Sequence, residues 1–257
     1  MKKTPTLPLI ALALLLTLTA AGSARAKGLS LEIMPGWELY PGIDEQGVRM
    51  GWAVAGAGRV NGDSYPDVLV GADKGSANRE GWVGLFLGGA GGVQTLPAWE
   101  AIGEHKGDLF GGALDGAGDV DNDGFNDIIV GASNYEGDLA GEGAAYLFYG
   151  TAGGAEAIPG WKVEGDQQAG KFGMAVAGAG YVNGDDYADV IVGMPGLTNG
   201  EFPNAGAAFV YFGSEDGLNP SYGWLDYGNQ EAAQFGLEVN AAGDVNGDGY
   251  GDVLVGE

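Results

Sequence analysis

The chain has 257 residues and carries 35 acids against 11 Lys and Arg, a formal net charge of −24. That balance excludes unaided binding to nucleic acid, which needs basic clusters to displace phosphate counterions, and argues against docking on anionic lipid. No cysteine and one histidine exclude disulfide staples, thiolate metal sites, cysteine nucleophiles and multi-histidine zinc sites, while 52 glycines in a chain that is 45% hydrophobic predict many tight turns between short strands.

Residues 1–26 read as a secretory signal peptide. Met1-Lys2-Lys3 is a basic start, Leu7 to Ala21 an apolar run too short to span a membrane, and Ala24-Arg25-Ala26 a small-residue cleavage site. The expectation is a mature chain from Lys27, secreted or at the cell surface (or periplasmic), with no membrane insertion of its own. A secreted chain without cysteine must tie its loops by something other than disulfides.

From Met50 onward the chain repeats itself. The segments are MGWAVAGAGRVNGDSYPDVLVGAD from Met50, FGGALDGAGDVDNDGFNDIIVGAS from Phe110, FGMAVAGAGYVNGDDYADVIVGMP from Phe172 and FGLEVNAAGDVNGDGYGDVLVGE from Phe235. Their second-position glycines, Gly51, Gly111, Gly173 and Gly236, are spaced by 60, 62 and 63 residues. Each of the first three segments is followed by an apolar, aromatic run between glycines, starting at Gly81, Gly143 and Gly206. A tryptophan then stands 12 residues before the next repeat glycine: Trp99, Trp161 and Trp224. Trp37 stands 14 residues before Gly51 and has no preceding repeat.

Each unit thus predicts four short strands. The first is Gly-Ala-rich, the second is the apolar run after the acids, the third is the aromatic run, and the fourth carries the tryptophan. Strands two and three lack alternation, so both their faces are covered. Four-stranded antiparallel sheets in series, each buried by its neighbours, predict an all-β fold: a β-propeller with three full blades and half of a fourth. The Gly-Ala strand suits a crowded central channel. The predicted repeats are 50–109, 110–171, 172–234 and 235–257.

The loop between strands one and two carries the one strong chemical motif, D-x-[DN]-x-D-G-x-x-D. In the second repeat it offers Asp119, Asp121, Asp123, Phe125 and Asp127; in the fourth, Asp244, Asn246, Asp248, Tyr250 and Asp252. Oxygens at positions 1, 3 and 5 converge when the chain turns at the glycine of position 6. The position-7 carbonyl and the position-9 carboxylate complete a hard-oxygen shell suited to Ca²⁺. Mg²⁺, which keeps waters and demands an octahedron, ranks second. The first and third repeats keep only positions 3, 5 and 9 as candidate metal ligands: Asn61, Asp63 and Asp67, then Asn183, Asp185 and Asp189, the third loop with Asp186 as a substitute ligand and the first opposed by the charge of Arg59. Arg59 and Tyr181 replace the first acid there, and Ser64 and Asp186 the glycine. Without an ion all four are Asx-stabilised turns.

These features resemble FG-GAP repeats, the blades of the integrin α-chain N-terminal propeller and of many secreted bacterial proteins. The FG pair, the acidic loop and the following apolar-Gly-Ala segment carry the resemblance from about Trp37 to Glu257. The family implies a seven-bladed ring, calcium in the strand 1–2 loops, and partners on the opposite face. Those partner loops would be residues 74–80, 134–142 and 197–204, and residues 103–109, 165–170 and 228–233. Tyr135 and Phe202 are the loop aromatics in them, and His105 reads as a solvated loop residue. Residues 31–49 would be an outer closing strand. Seven blades need more chain than this, so the sequence reads as incomplete at its C-terminus and as a bacterial secreted member. The expected function is a calcium-stabilised adhesion or interaction module meeting an extracellular protein or glycan, not an enzyme. The alternative is the accessory propeller of a secreted hydrolase whose catalytic part lies elsewhere.

Overall fold

The computed structural model describes residues 49–75 and 80–257. All belong to the compact unit Glu45–Glu257. The expected signal peptide, and all but the last residue of the expected closing strand with its Trp37, lie outside the described residues. Among those described, every regular element is a strand.

The first sheet takes β1 (Ala53–Gly58), β2 (Asp67–Ala72), β3 (Trp82–Phe86) and β4 (Trp99–Ile102) in that order, all antiparallel. The second takes β5 (Phe110–Gly118), β6 (Asp127–Ala132) and β7 (Ala144–Phe148). A small hairpin, β8 (Gly150–Thr151) and β9 (Gly154–Ala155), leads on to β10 (Trp161–Glu164), which closes it. The third is β11 (Val176–Gly180), β12 (Asp189–Met194), β13 (Ala207–Tyr211) and β14 (Trp224–Tyr227). Finally β15 (Val239–Gly243) pairs with β16 (Asp252–Val255). These are propeller blades, three complete and half of a fourth, with the strands predicted from Gly51 onward in their predicted places.

The core lies between consecutive sheets. β6, β7, β12 and β13 are buried at every position, as their unbroken apolar runs require. Leu85, Trp99, Phe110 and Phe148 fill one seam, and Leu147, Trp161, Phe172 and Tyr211 the next. The tryptophans peg one blade to the following one. Trp99 meets Phe148 edge-on at 4.9 Å and donates from Nε1 to the Glu156 carbonyl at 2.7 Å. Trp161 meets Tyr211 at 5.0 Å and donates to the Asn219 carbonyl at 3.2 Å.

Glycine allows the backbones to close. The FG glycines Gly111, Gly173 and Gly236 have φ of 74°, 76° and 85°, a region that β-carbons disfavour. Each lies against a carbonyl at the start of the preceding blade's third strand: Trp82, Ala144 and Ala207. In turn Gly71, Gly131 and Gly193 at the end of the second strands face the carbonyls of Gly111, Gly173 and Gly236. The two glycines of the repeat therefore lock to each other across every described seam.

Candidate metal centre

Every inner strand ends on a bulge just before the acidic loop, at Gly58, Gly118, Gly180 and Gly243, with φ of 74°, 83°, 75° and 69°. The bulge turns the chain, and short-range Asx bonds fold the acidic loop itself. Asp123 N–H donates to the carboxylates of Asp119 and Asp121 at 3.0 and 3.3 Å, Gly124 N–H to Asp119 at 2.9 Å, and Phe125 N–H to Asp123 at 2.9 Å. In the fourth repeat Asp244 accepts from Gly247, Asp248 and Gly249 at 2.7, 3.1 and 2.9 Å.

The position-9 acid has a different setting. Asp127 is buried; its Oδ2 accepts from Val120 N–H at 2.8 Å and its Oδ1 from Gly150 N–H at 2.8 Å. It therefore ties the loop to the turn after the third strand. Asp67 does the same with Val60 and Gly88, and Asp189 with Val182 and Gly213. Because this bond set recurs in loops with and without the full motif, position 9 has a structural role in every one of these three blades. Repetition of an Asp alone could not distinguish that role from a ligand's.

Asp119, Asp121 and Asp127 bring carboxylate oxygens within 4.8 Å of one another. Oxygens sharing one Ca²⁺ at ~2.3–2.6 Å stand no farther apart than about 5 Å, so this cluster fits that ion. Burial and mutual repulsion disfavour the charged forms of its carboxylates. Burial pushes the Asp127 carboxyl up to about 7, with Asp121 and Asp119 adding to the effect. Burial, then the neighbouring Asp123, raises Asp121.

The other loops relieve their charge internally. Where position 3 is Asn, its amide donates to the position-5 acid: Asn61 to Asp63 at 2.9 Å, Asn183 to Asp185 at 2.7 Å, Asn246 to Asp248 at 3.0 Å. Asp63 is held below its ordinary value by the Tyr65 N–H and the Asn61 amide, with Arg59 adding positive charge. Asp244 is likewise lowered by the N–H groups of Gly249, Gly247 and Asp248. Asp121 in the second loop has no such amide to offer.

Neighbouring loops are wired together through backbone carbonyls. Asn126 N–H donates to the Arg59 carbonyl at 3.1 Å, Ala188 N–H to that of Asp119 at 2.9 Å, and Gly251 N–H to that of Tyr181 at 3.0 Å. The rings of Phe125 and Tyr250 lie over Gly62 and Gly184 of the preceding loops.

At the opposite ends of the sheets, Lys162 joins two blades. Its Nζ lies 2.8 Å from Glu104, 2.9 Å from the Tyr135 hydroxyl and 3.0 Å from Glu164, above the Tyr135 ring. This corrects one expectation: Tyr135 is buried under the lysine and is not presented to a partner, whereas Phe202 is exposed. His105 is a half-exposed loop side chain beside Asp108 and the Tyr135 ring. The junction escaped the sequence reading because its members come from three separate segments.

No helix among the described residues is long and apolar enough to cross a membrane. No protein-family model matches the chain. It is 30% identical to integrin alpha-4 of Xenopus laevis over 214 residues, 82% of this chain and 20% of that protein. It is 32% identical to integrin alpha-2 of Mus musculus over 219 residues, 80% of this chain and 17% of that protein. With integrin alpha-3 of Cricetulus griseus it shares 30% identity over 250 residues, 92% of this chain and 23% of that protein. The chain spans about a fifth of the length of these relatives. Blade order, acidic loops and these likenesses agree on a β-propeller region similar to part of the integrin α chains.

Proposed function

We propose that this chain is an extracellular adhesion or interaction module whose blades are stapled by Ca²⁺ in the strand 1–2 loops. Residues 1–26 are the export signal, and the repeats run 50–109, 110–171, 172–234 and 235–257. The opposite-face loops meet an extracellular protein or glycan, and the reading assigns the chain no catalytic step. The observation that carries it is the approach of carboxylate oxygens of Asp119, Asp121 and Asp127 to within 4.8 Å of one another, a spacing that one Ca²⁺ can bridge. Asp123 and the Phe125 carbonyl complete that shell. Asp244, Asn246, Asp248, the Tyr250 carbonyl and Asp252 form the second site. The first loop offers Asn61, Asp63 and Asp67 and the third Asn183, Asp185 and Asp189; with Arg59 and Tyr181 in place of the first acid, they are the weaker sites. Bound calcium supplies charge neutralisation, and the residues supply the oxygens.

Calorimetric titration of the chelator-stripped protein tests this. Two sites with Kd of ~0.1–1 mM are expected, the second-repeat loop the tighter. Affinity should also fall with acidification. Asp127 is raised toward 7 in the folded, ion-free chain, so protons there compete with the ion. In the window below pH 7 the folded chain binds more protons than the unfolded one, and the ion-free fold gains stability as pH falls toward 4. Calcium affinity then drops by up to ~10-fold per pH unit below 7. Absence of heat, or affinity independent of pH from 7.5 to 5.5, contradicts the assignment.

A further inference from the structure

We propose that two Asn-Gly pairs of the acidic loops, Asn61-Gly62 and Asn183-Gly184, are sites of spontaneous deamidation, each held in check by an aromatic ring from the next blade. The inference goes beyond the calcium reading and does not depend on it, because it concerns the ion-free loops.

The chemistry is that of an asparagine followed by glycine. The glycine nitrogen gives up its proton to hydroxide and attacks the asparagine Cγ. The bond from that nitrogen to Cγ forms, the bond from Cγ to Nδ2 breaks, and the side-chain amide nitrogen leaves as ammonia. Water then opens the five-membered succinimide at either carbonyl, leaving aspartate or isoaspartate. Nothing is oxidised or reduced. Glycine favours the attack because it has no side chain to obstruct its nitrogen.

The fold itself demands this dipeptide. At position 3 a side-chain oxygen accepts from position 5: Asp63 N–H donates to Asn61 Oδ1 at 3.1 Å, and Asp185 N–H to Asn183 Oδ1 at 3.0 Å. At position 4 the chain takes φ of 69° at Gly62 and 78° at Gly184. The next blade also leaves no room there. A β-carbon on Gly62 would stand 2.7 Å from the Phe125 ring, and one on Gly184 would stand 2.5 Å from the Tyr250 ring.

The same contact is the guard. The succinimide closes only when the Asn-Gly peptide turns about the asparagine Cα and base reaches the glycine N–H. A ring lying on one face of the glycine opposes that turn. The N–H groups of Gly62 and Gly184 are also engaged, with the Arg59 and Tyr181 carbonyls at 3.1 and 3.4 Å, and Asn61 and Asn183 are half-buried. Asn246-Gly247 is the contrast. Gly247 has a φ of 77°, yet Asn246 is exposed and a β-carbon on Gly247 would meet nothing within 4 Å. The Gly247 N–H donates to the exposed Asp244 carboxylate at 2.7 Å, an acceptor that water replaces at little cost.

Conversion changes the loop's charge. It removes the amide that Asn61 donates to Asp63 and Asn183 to Asp185, and sets a new carboxylate beside each acid. Each loop then carries acids at positions 3 and 5, as the second does with Asp121 and Asp123.

The test incubates the purified protein in chelator and mildly alkaline heavy-oxygen water, so that acid formed in the folded chain is labelled. Labelled aspartate and isoaspartate are then mapped by mass spectrometry of its peptides. Asn246 should convert about 5-fold or more faster than Asn61 and Asn183, and in denaturant the three should convert alike. Phe125→Ala should accelerate Asn61 by a similar factor and leave Asn183 unchanged; Tyr250→Ala should do the reverse. The proposal is overturned if Asn61 and Asn183 convert in the folded parent as fast as in denaturant, if a ring variant leaves its own site unchanged, or if either variant accelerates both sites alike. Tyr250 is exposed, so its variant keeps the test valid if Phe125→Ala does not fold.

Discussion

Asp127→Ala is expected to destabilise the ion-free protein by about 2–4 kcal/mol, and in calcium to lose that site's increment as well. The variant strands two buried donors, Val120 N–H and Gly150 N–H, which this one carboxylate now satisfies. Each stranded donor costs ~1–3 kcal/mol, and relief of the buried charge offsets part of the sum. The melting temperature should fall by roughly 5–15 °C. Asp119→Ala is the informative contrast. Its partners, Asp123 N–H and Gly124 N–H, are exposed, so water replaces the lost acceptor. That variant should match the parent in chelator and lose only the increment calcium adds. Chemical denaturation of both variants, each in calcium and in chelator, separates the two roles. Equal losses in chelator would show that position 9 is not the tie described.

Gly173→Ala should cost about 2–5 kcal/mol, from two additive causes. At a φ of 76° a β-carbon is strained by ~1–2 kcal/mol. It would also strike the Ala144 carbonyl, a backbone atom of the neighbouring blade with no rotamer to yield. Forcing such a seam apart adds ~1–3 kcal/mol. Gly180→Ala isolates the first cause: φ is 75°, and nothing lies within 4 Å of its added methyl. It should lose ~1–2 kcal/mol alone. Similar losses in the two variants would mean that the seam has slack and that the FG glycine serves conformation only.

Much of this architecture is written locally. The run DIIVGA announces a strand covered on both faces, and β6 is buried throughout. The spacing of Trp99 and Trp161 marks outer strands, and both lie against the next blade. The acidic loops are legible because Asx turns form within a few residues. What is not legible comes from contacts between repeats. The pairing of Gly131 with Gly173 joins residues 42 apart, and nothing in either neighbourhood signals it. The lysine junction joins Glu104, Tyr135 and Lys162; alone, Tyr135 reads as an exposed loop aromatic. The fully charged loop differs from its neighbours by Asp121 in place of Asn, yet the consequence, a position-5 acid without a side-chain amide donor, requires the folded turn.

The most direct test of calcium stapling is thermal melting of the purified chain in ~1 mM calcium and in chelator, beside the Asp119→Ala/Asp244→Ala double variant. Two sites of Kd ~0.1–1 mM each add ~0.4–1.4 kcal/mol at that concentration. The parent should therefore melt about 2–10 °C higher in calcium, and the double variant should melt alike in both. A parent whose melting is indifferent to chelator, or a double variant that keeps the full calcium increment, would contradict the account.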